Sequence, residues 1–139
     1  MPRATRLINI SVPDVRSTAQ NAAGISLAGY DGLCTIAFSW GANAAAGAVL
    51  HCALQTSNAL AGTYSNATFT NALLGTTATT TGAYTSITEN SATSGIEVLR
   101  FDTRELGSNV FVKANYTVTN SPAVDCAVIA CVLPRTATV

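Results

Sequence analysis

A chain of 139 residues with only 10% charged side chains, seven Lys and Arg against seven Asp and Glu, carries no formal net charge. That length fits a single domain with its own core, and the scattered basic residues argue against a nucleic-acid partner, because phosphate binding rests on clustered Lys and Arg. No stretch of about 20 apolar residues runs without polar interruption, which excludes a helical membrane span, and Met-Pro-Arg-Ala-Thr-Arg at the start has no apolar core behind it, so no signal peptide is expected.

Residues 1–23 read as an extended N-terminal arm. Leu7, Ile8 and Ile10 suit a short strand, and Ser11-Val12-Pro13-Asp14 is expected to break it. The small polar residues from Arg16 to Ala23 offer too little apolar surface to fold alone, so the arm is expected to cross to something else. Residues 24–139 then form the one domain. A short strand over 24–30 is followed by a turn at Asp31-Gly32 and a strand over 33–40. In that strand Cys34, Ile36, Phe38 and Trp40 share one face, because side chains alternate along a strand, and this face belongs in a core.

The small-residue connection 41–47 leads to a strand over 48–57, with Leu50, Cys52, Leu54 and Thr56 toward the core and His51 on the other side. A short strand is expected over 63–69 around Tyr64. The Thr-rich tract within 71–81 reads as an excursion near the surface, since threonine favours strand or exposed loop over helix. Another strand is expected over 83–88. A clear one covers 95–101, with Ile96, Val98 and Arg100 on one face.

Asn109–Leu133 contains two apolar runs around Asn120-Ser121-Pro122, which predicts a long hairpin. Each run has about eleven residues, roughly 36 Å if straight at ~3.3 Å per residue. The second is apolar on both faces toward its end, so it should be central and covered twice. About eight strands with almost no helical periodicity predict an all-β fold, an antiparallel β-sandwich or jelly-roll-like barrel.

Few residues suit chemistry. His51 is the one histidine, and nothing in the sequence orients it as a base. Cys34, Cys52, Cys126 and Cys131 lie in apolar runs without zinc-knuckle spacing, so buried thiols in a reducing compartment are expected, with a Cys34–Cys52 bridge as the minor reading. Tyr64 and Tyr84 could sit on loops as a weak carbohydrate platform. No metal, cofactor or catalytic set is expected. The densest charge is Arg100, Asp102, Arg104 and Glu105, which reads first as a salt-bridged corner and second as a contact to a neighbouring subunit.

Three places carry a family resemblance: Tyr30-Asp31-Gly32-Leu33 with Trp40-Gly41; Leu54-Gln55-Thr56-Ser57-Asn58 with Gly62-Thr63-Tyr64-Ser65; and Phe101-Asp102-Thr103-Arg104-Glu105-Leu106-Gly107 with Phe111-Val112-Lys113-Ala114 and Leu133-Pro134-Arg135. Over roughly residues 30–135 the chain resembles small virion proteins of tailed bacteriophages, the head decoration or cement class. The resemblance implies a homo-oligomer, dimer or trimer, that binds a major capsid protein on the outside of the shell and reinforces it. It implies assembly in the host cytoplasm and a place on the virion surface. Pro2, Arg3, Arg6, Leu7 and Ile8 of the arm, Arg100, Asp102, Arg104 and Glu105, and Thr79, Thr80 and Thr81 of a contact loop would form its interfaces. A self-assembling coat protein, a carbohydrate-binding module and, last, an enzyme are the alternatives.

Overall fold

A computed structural model describes residues 5–16, 20–21, 23–41, 48–81, 85–89, 94–119 and 124–133. Among them are twelve strand segments and no α-helix: β1 (Arg6–Arg16), β2 (Gln20–Asn21), β3 (Ile25–Ser26), β4 (Leu33–Trp40), β5 (Ala48–Ser57), β6 (Ser65–Asn66), β7 (Thr68–Leu74), β8 (Thr77–Thr81), β9 (Thr85–Glu89), β10 (Gly95–Asp102), β11 (Phe111–Thr119) and β12 (Val124–Val132). One 3-10 turn, Thr103–Leu106, follows β10. The count exceeds the expected eight partly because β2, β3 and β6 are two-residue segments that each pair briefly beside a longer strand.

The strands form two antiparallel sheets. The first has the order β1-β12-β4-β10-β7-β8. The second has the order β2-β11-β5-β6, with β3 also on β11 and β9 also on β5. The chain changes sheet at almost every step: β4 lies in the first, β5 in the second, β7 and β8 in the first, β9 in the second, β10 in the first, β11 in the second and β12 in the first. Both sheets send side chains into one hydrophobic cluster, with Cys34, Ile36, Phe38, Leu99, Phe101 and Val128 from the first and Leu54, Val112, Ala114 and Tyr116 from the second.

The strands at β4 and β5 have the bounds the alternation predicts, and Cys34, Ile36, Phe38, Cys52 and Leu54 are buried as expected. The hairpin over 109–133 is not formed. β11 pairs with β5 from Phe111↔Ser57 to Thr119↔Val49, while β12 lies in the other sheet between β1 and β4. The buried faces of the two runs, Val112-Ala114-Tyr116 and Cys126-Val128-Ala130-Val132, belong to one core, so they meet across it and not edge to edge. β12 is central, as its composition predicts, but its outer side chains Ile129 and Cys131 are only half-buried.

Two further expectations change. Residues 6–16 pair with β12 of their own chain as an edge strand, where an arm leaving the domain was expected. Ser11-Val12-Pro13-Asp14 does not end that strand. The register shifts between Asn9 and Ser11 and between Ser11 and Asp14 instead, and an edge with a bulge is where a proline can stand without losing a ladder donor. The Thr-rich tract is strand β8 and not a loop: Gly75, at φ 59°, makes the left-handed turn that folds 77–81 back on β7.

Candidate functional site

The register of the first sheet decides what its two faces carry. Residues directly opposed on neighbouring strands share a face. One row runs Leu7, Cys131, Thr35, Arg100, Leu73, Ala78 from β1 to β8. A second runs Asn9, Ile129, Ala37, Val98, and a third Ala127, Ser39, Ile96. Leu33 opposes Asp102 at the top. These rows alternate with the buried Ile36, Phe38, Leu99 and Val128, so they form the outer face.

That outer face is apolar over most of its extent. Among the described residues five large hydrophobics are well exposed, and four of them lie here: Leu7 at 70%, Ile96 at 67%, Leu33 at 58% and Leu73 at 43%. The fifth, Leu60, is on the loop after β5. The Ser39 hydroxyl is turned inward to the backbone, donating to the Ala127 carbonyl at 3.3 Å, which leaves the centre of the face less polar than its sequence suggests.

Among the side chains described, the charge on this face gathers toward one end, with Arg100 in the first row between Thr35 and Leu73. β10 pairs with β7 only at Leu99↔Leu74 and Arg100↔Leu73 before the chain turns away. A groove of about 580 Å³ opens there, and Leu33, Leu73, Arg100, Asp102, Arg104 and Glu105 line it together with Asn71 and Phe101. The four expected charged residues are thus brought together. Asp102 caps the 3-10 turn by accepting from the Arg104 backbone N–H at 2.9 Å, and it also accepts from Arg104 Nε at 2.9 Å and Nη2 at 2.5 Å. These bonds from Arg104, side chain first and backbone second, pull the Asp102 carboxyl down to about 2 and raise the guanidinium further. Glu105 accepts from the backbone N–H groups of Thr70 and Asn71, the latter at 3.0 Å. Its carboxylate therefore serves the part of β7 that β10 has left. Arg100 Nη1 donates to the Gly75 carbonyl at 3.3 Å. The corner is tied together by its own charges and serves as a scaffold for the rim of the face.

The other expected contact residues are more dispersed. Arg6 and Leu7 are exposed on β1, while Ile8 is half-buried against the core. Pro2 and Arg3 lie outside the described residues, as does Tyr84. Thr79, Thr80 and Thr81 lie on β8, and their side chains are outside what is described. His51 pairs through its backbone with Thr117 and Ser86. Tyr64 is no open stacking platform: Lys113 Nζ sits 4.5 Å from its ring centroid and its hydroxyl donates to the Leu60 carbonyl. All four cysteines are thiols. Cys34 lies in the first sheet and Cys52 in the second, with no bridge between them. Burial pushes the Cys34 thiol up to about 12, with Cys131 adding to the shift.

Leu33, Leu73 and Ile129 were not singled out as contact residues from sequence. For Leu33 and Ile129 the signal was present in their parity, since each falls on the side of its strand opposite the buried set; Leu73 shares its parity with the buried Phe69 and faces out only because the register of β7 shifts between Thr68 and Ala72. No protein-family model matches the chain, and no curated protein matches it.

Proposed function

We propose that this chain is a structural protein of a virion, an accessory protein that docks on the outside of a capsid as a small oligomer and reinforces the shell. The observation that carries the reading is the outer face of the first sheet, where four exposed large apolar side chains share the surface with the half-buried Ile129, Val98 and Cys131. Contiguous exposed apolar surface of this kind marks association. The low charge of the chain, 10% of residues, suits a protein that stays packed against others.

The strand order supports a specific architecture. With the β7–β8 hairpin and β6 set aside, the orders β1-β12-β4-β10 and β2/β3-β11-β5-β9 support the reading of a double-sheet jelly roll. We read the two sheets as its two layers. Jelly rolls recur in viral capsid domains and in lectins, so the order also favours a second reading, a coat protein that assembles by itself. Co-sedimentation separates them. The full chain is mixed with empty shells of the major capsid protein encoded with it and spun. An accessory protein pellets with the shells at fixed stoichiometry and stays small without them. A coat protein forms particles of virus-like mass alone. A chain that remains in the supernatant in both tubes overturns both readings.

A further inference from the structure

We infer that the outer face of the first sheet is a self-association surface, on which two copies of this chain pack face to face about a two-fold axis. The inference rests on the same outer face as the virion reading and deepens it by naming the first partner as a second copy.

β12 supplies the first observation. A strand with apolar side chains on both faces is the pattern of a strand covered on both sides. Its inner side chains Val128, Ala130 and Val132 are at most 1% exposed, whereas Ile129 and Cys131 on the outer side remain half-buried. The neighbouring rows extend the pattern to Ala37 and Val98 and end at the exposed Leu7 and Ile96.

Size and shape supply the second. Six strands at ~4.8 Å spacing and about eight residues of strand at ~3.4 Å give a face of at most roughly 24 by 27 Å, about 600 Å² per copy, with β7 and β8 joined to it through only two residue pairs. Two such faces remove at most about 1,200 Å², which reaches the lower end of the range for a specific interface. Sheets stack on sheets at ~10 Å when medium side chains interdigitate with small ones. Ile129 and Val98 flank Ala37 in one row, so the face carries both ridges and hollows and can match a copy of itself.

Charge supplies the third. Around the groove the face bears two cations, Arg100 and Arg104, and two anions, Asp102 and Glu105, all at one corner. Stacking the face on its copy therefore brings no net charge together at that corner. The chain as a whole has no formal net charge, so no long-range repulsion opposes the encounter. The first sheet's β1 edge, interrupted by shifts around Pro13, is a poorer route to pairing.

Sedimentation equilibrium of the full chain tests the inference, with Ile96→Glu, Leu7→Glu and Leu60→Glu beside the wild type. All three side chains are more than half exposed, so the variants should fold, and far-ultraviolet circular dichroism checks that they do. The wild type should show the mass of two 14.2-kDa chains. Ile96→Glu and Leu7→Glu should each raise the dimer dissociation constant about 100-fold or more, because a two-fold interface suffers each buried charge twice. Leu60→Glu, off the face, should match the wild type. A wild type that is monomeric at every concentration, a closed trimer, or an Ile96→Glu variant as dimeric as the wild type would each overturn the inference. A monomer that still pellets with shells refutes the dimer and leaves the virion reading standing; a dimer that ignores shells does the reverse.

Discussion

On β4, Cys34, Ile36 and Phe38 are at most 2% exposed, while Leu33, beside Cys34 in sequence, is 58% exposed. β10 repeats the contrast, with Leu99 and Phe101 buried and Ile96 exposed. The two faces of the first sheet are thus built from the same strands and much the same residue types. They differ in what covers them. The inner face shares one hydrophobic cluster with side chains of the second sheet, and within the described chain nothing comparable lies over the outer one. An apolar side chain on the inner face holds the fold, and one on the outer face is available for association. The charged corner at Asp102–Glu105 marks the boundary, because its groups bond the turn and β7.

The largest test of the contrast is a pair of truncations on β10. Phe101→Ala empties a buried site and removes the tilted contact to Phe69, whose ring centroid is 4.8 Å away. It should cost about 3–5 kcal/mol in urea unfolding. Val98→Ala, on the outer face, should cost less than about 1 kcal/mol at concentrations too low for association. Equal costs would mean that the outer face is already covered within one chain.

Next comes the end of the inner face, where Gly95 opposes Trp40. A Cβ on Gly95 would lie 2.3 Å from Trp40 Cζ2. Gly95→Ala should therefore displace the indole and cost about 1–3 kcal/mol, with a shift in tryptophan fluorescence as the direct sign. An unchanged emission spectrum and unfolding curve would show that the indole is not held there.

At the corner, Glu105→Ala leaves the amides of Thr70 and Asn71 without their acceptor. The expected loss is about 1 kcal/mol, read most sharply as faster hydrogen exchange at those two amides and little change at Leu99.

The smallest effect is at Asp102. Its folded pKa of about 2 lies below the ordinary value of 3.8, so the fold favours the ionised carboxylate. That contribution is present in full above about pH 4 and is lost as pH falls through about 2. Wild-type stability should fall more steeply than that of Asp102→Asn across this window, by a small amount because the partner Arg104 side chain is 75% exposed. Parallel acid limbs would show that the pair does not couple to folding.

Much of the all-β character was legible from alternation. β4 has a clean period-two pattern, so its limits and buried face could be read directly, whereas in β5 the limits were legible and Cys52, Leu54 and Thr56 are buried as expected, but Ala53 on the opposite side is buried as well. Pairing could not. Alternation says which side chains share a face and is silent about which strand lies alongside, so β11 and β12 looked like a hairpin although they belong to opposite sheets. Likewise Thr77–Thr81 has no apolar period, and its strand depends on the Gly75 turn and on β7 beside it.

At the candidate site the charged residues were visible because Arg100, Asp102, Arg104 and Glu105 are close in sequence. Leu7, Leu33, Leu73 and Ile96 come together only through the register of strands far apart in the chain. No local window contains them.

The most direct test of association through the outer face uses Cys131, half-buried in the same row as Leu7, while Cys34, Cys52 and Cys126 are buried. The rate of its alkylation by excess maleimide is measured as protein concentration is raised through the association range. The account predicts that Cys131 reacts progressively more slowly as the chain associates, and that Cys34, its thiol pushed up to about 12, stays unreacted throughout. A Cys131 rate that does not change with protein concentration would contradict it.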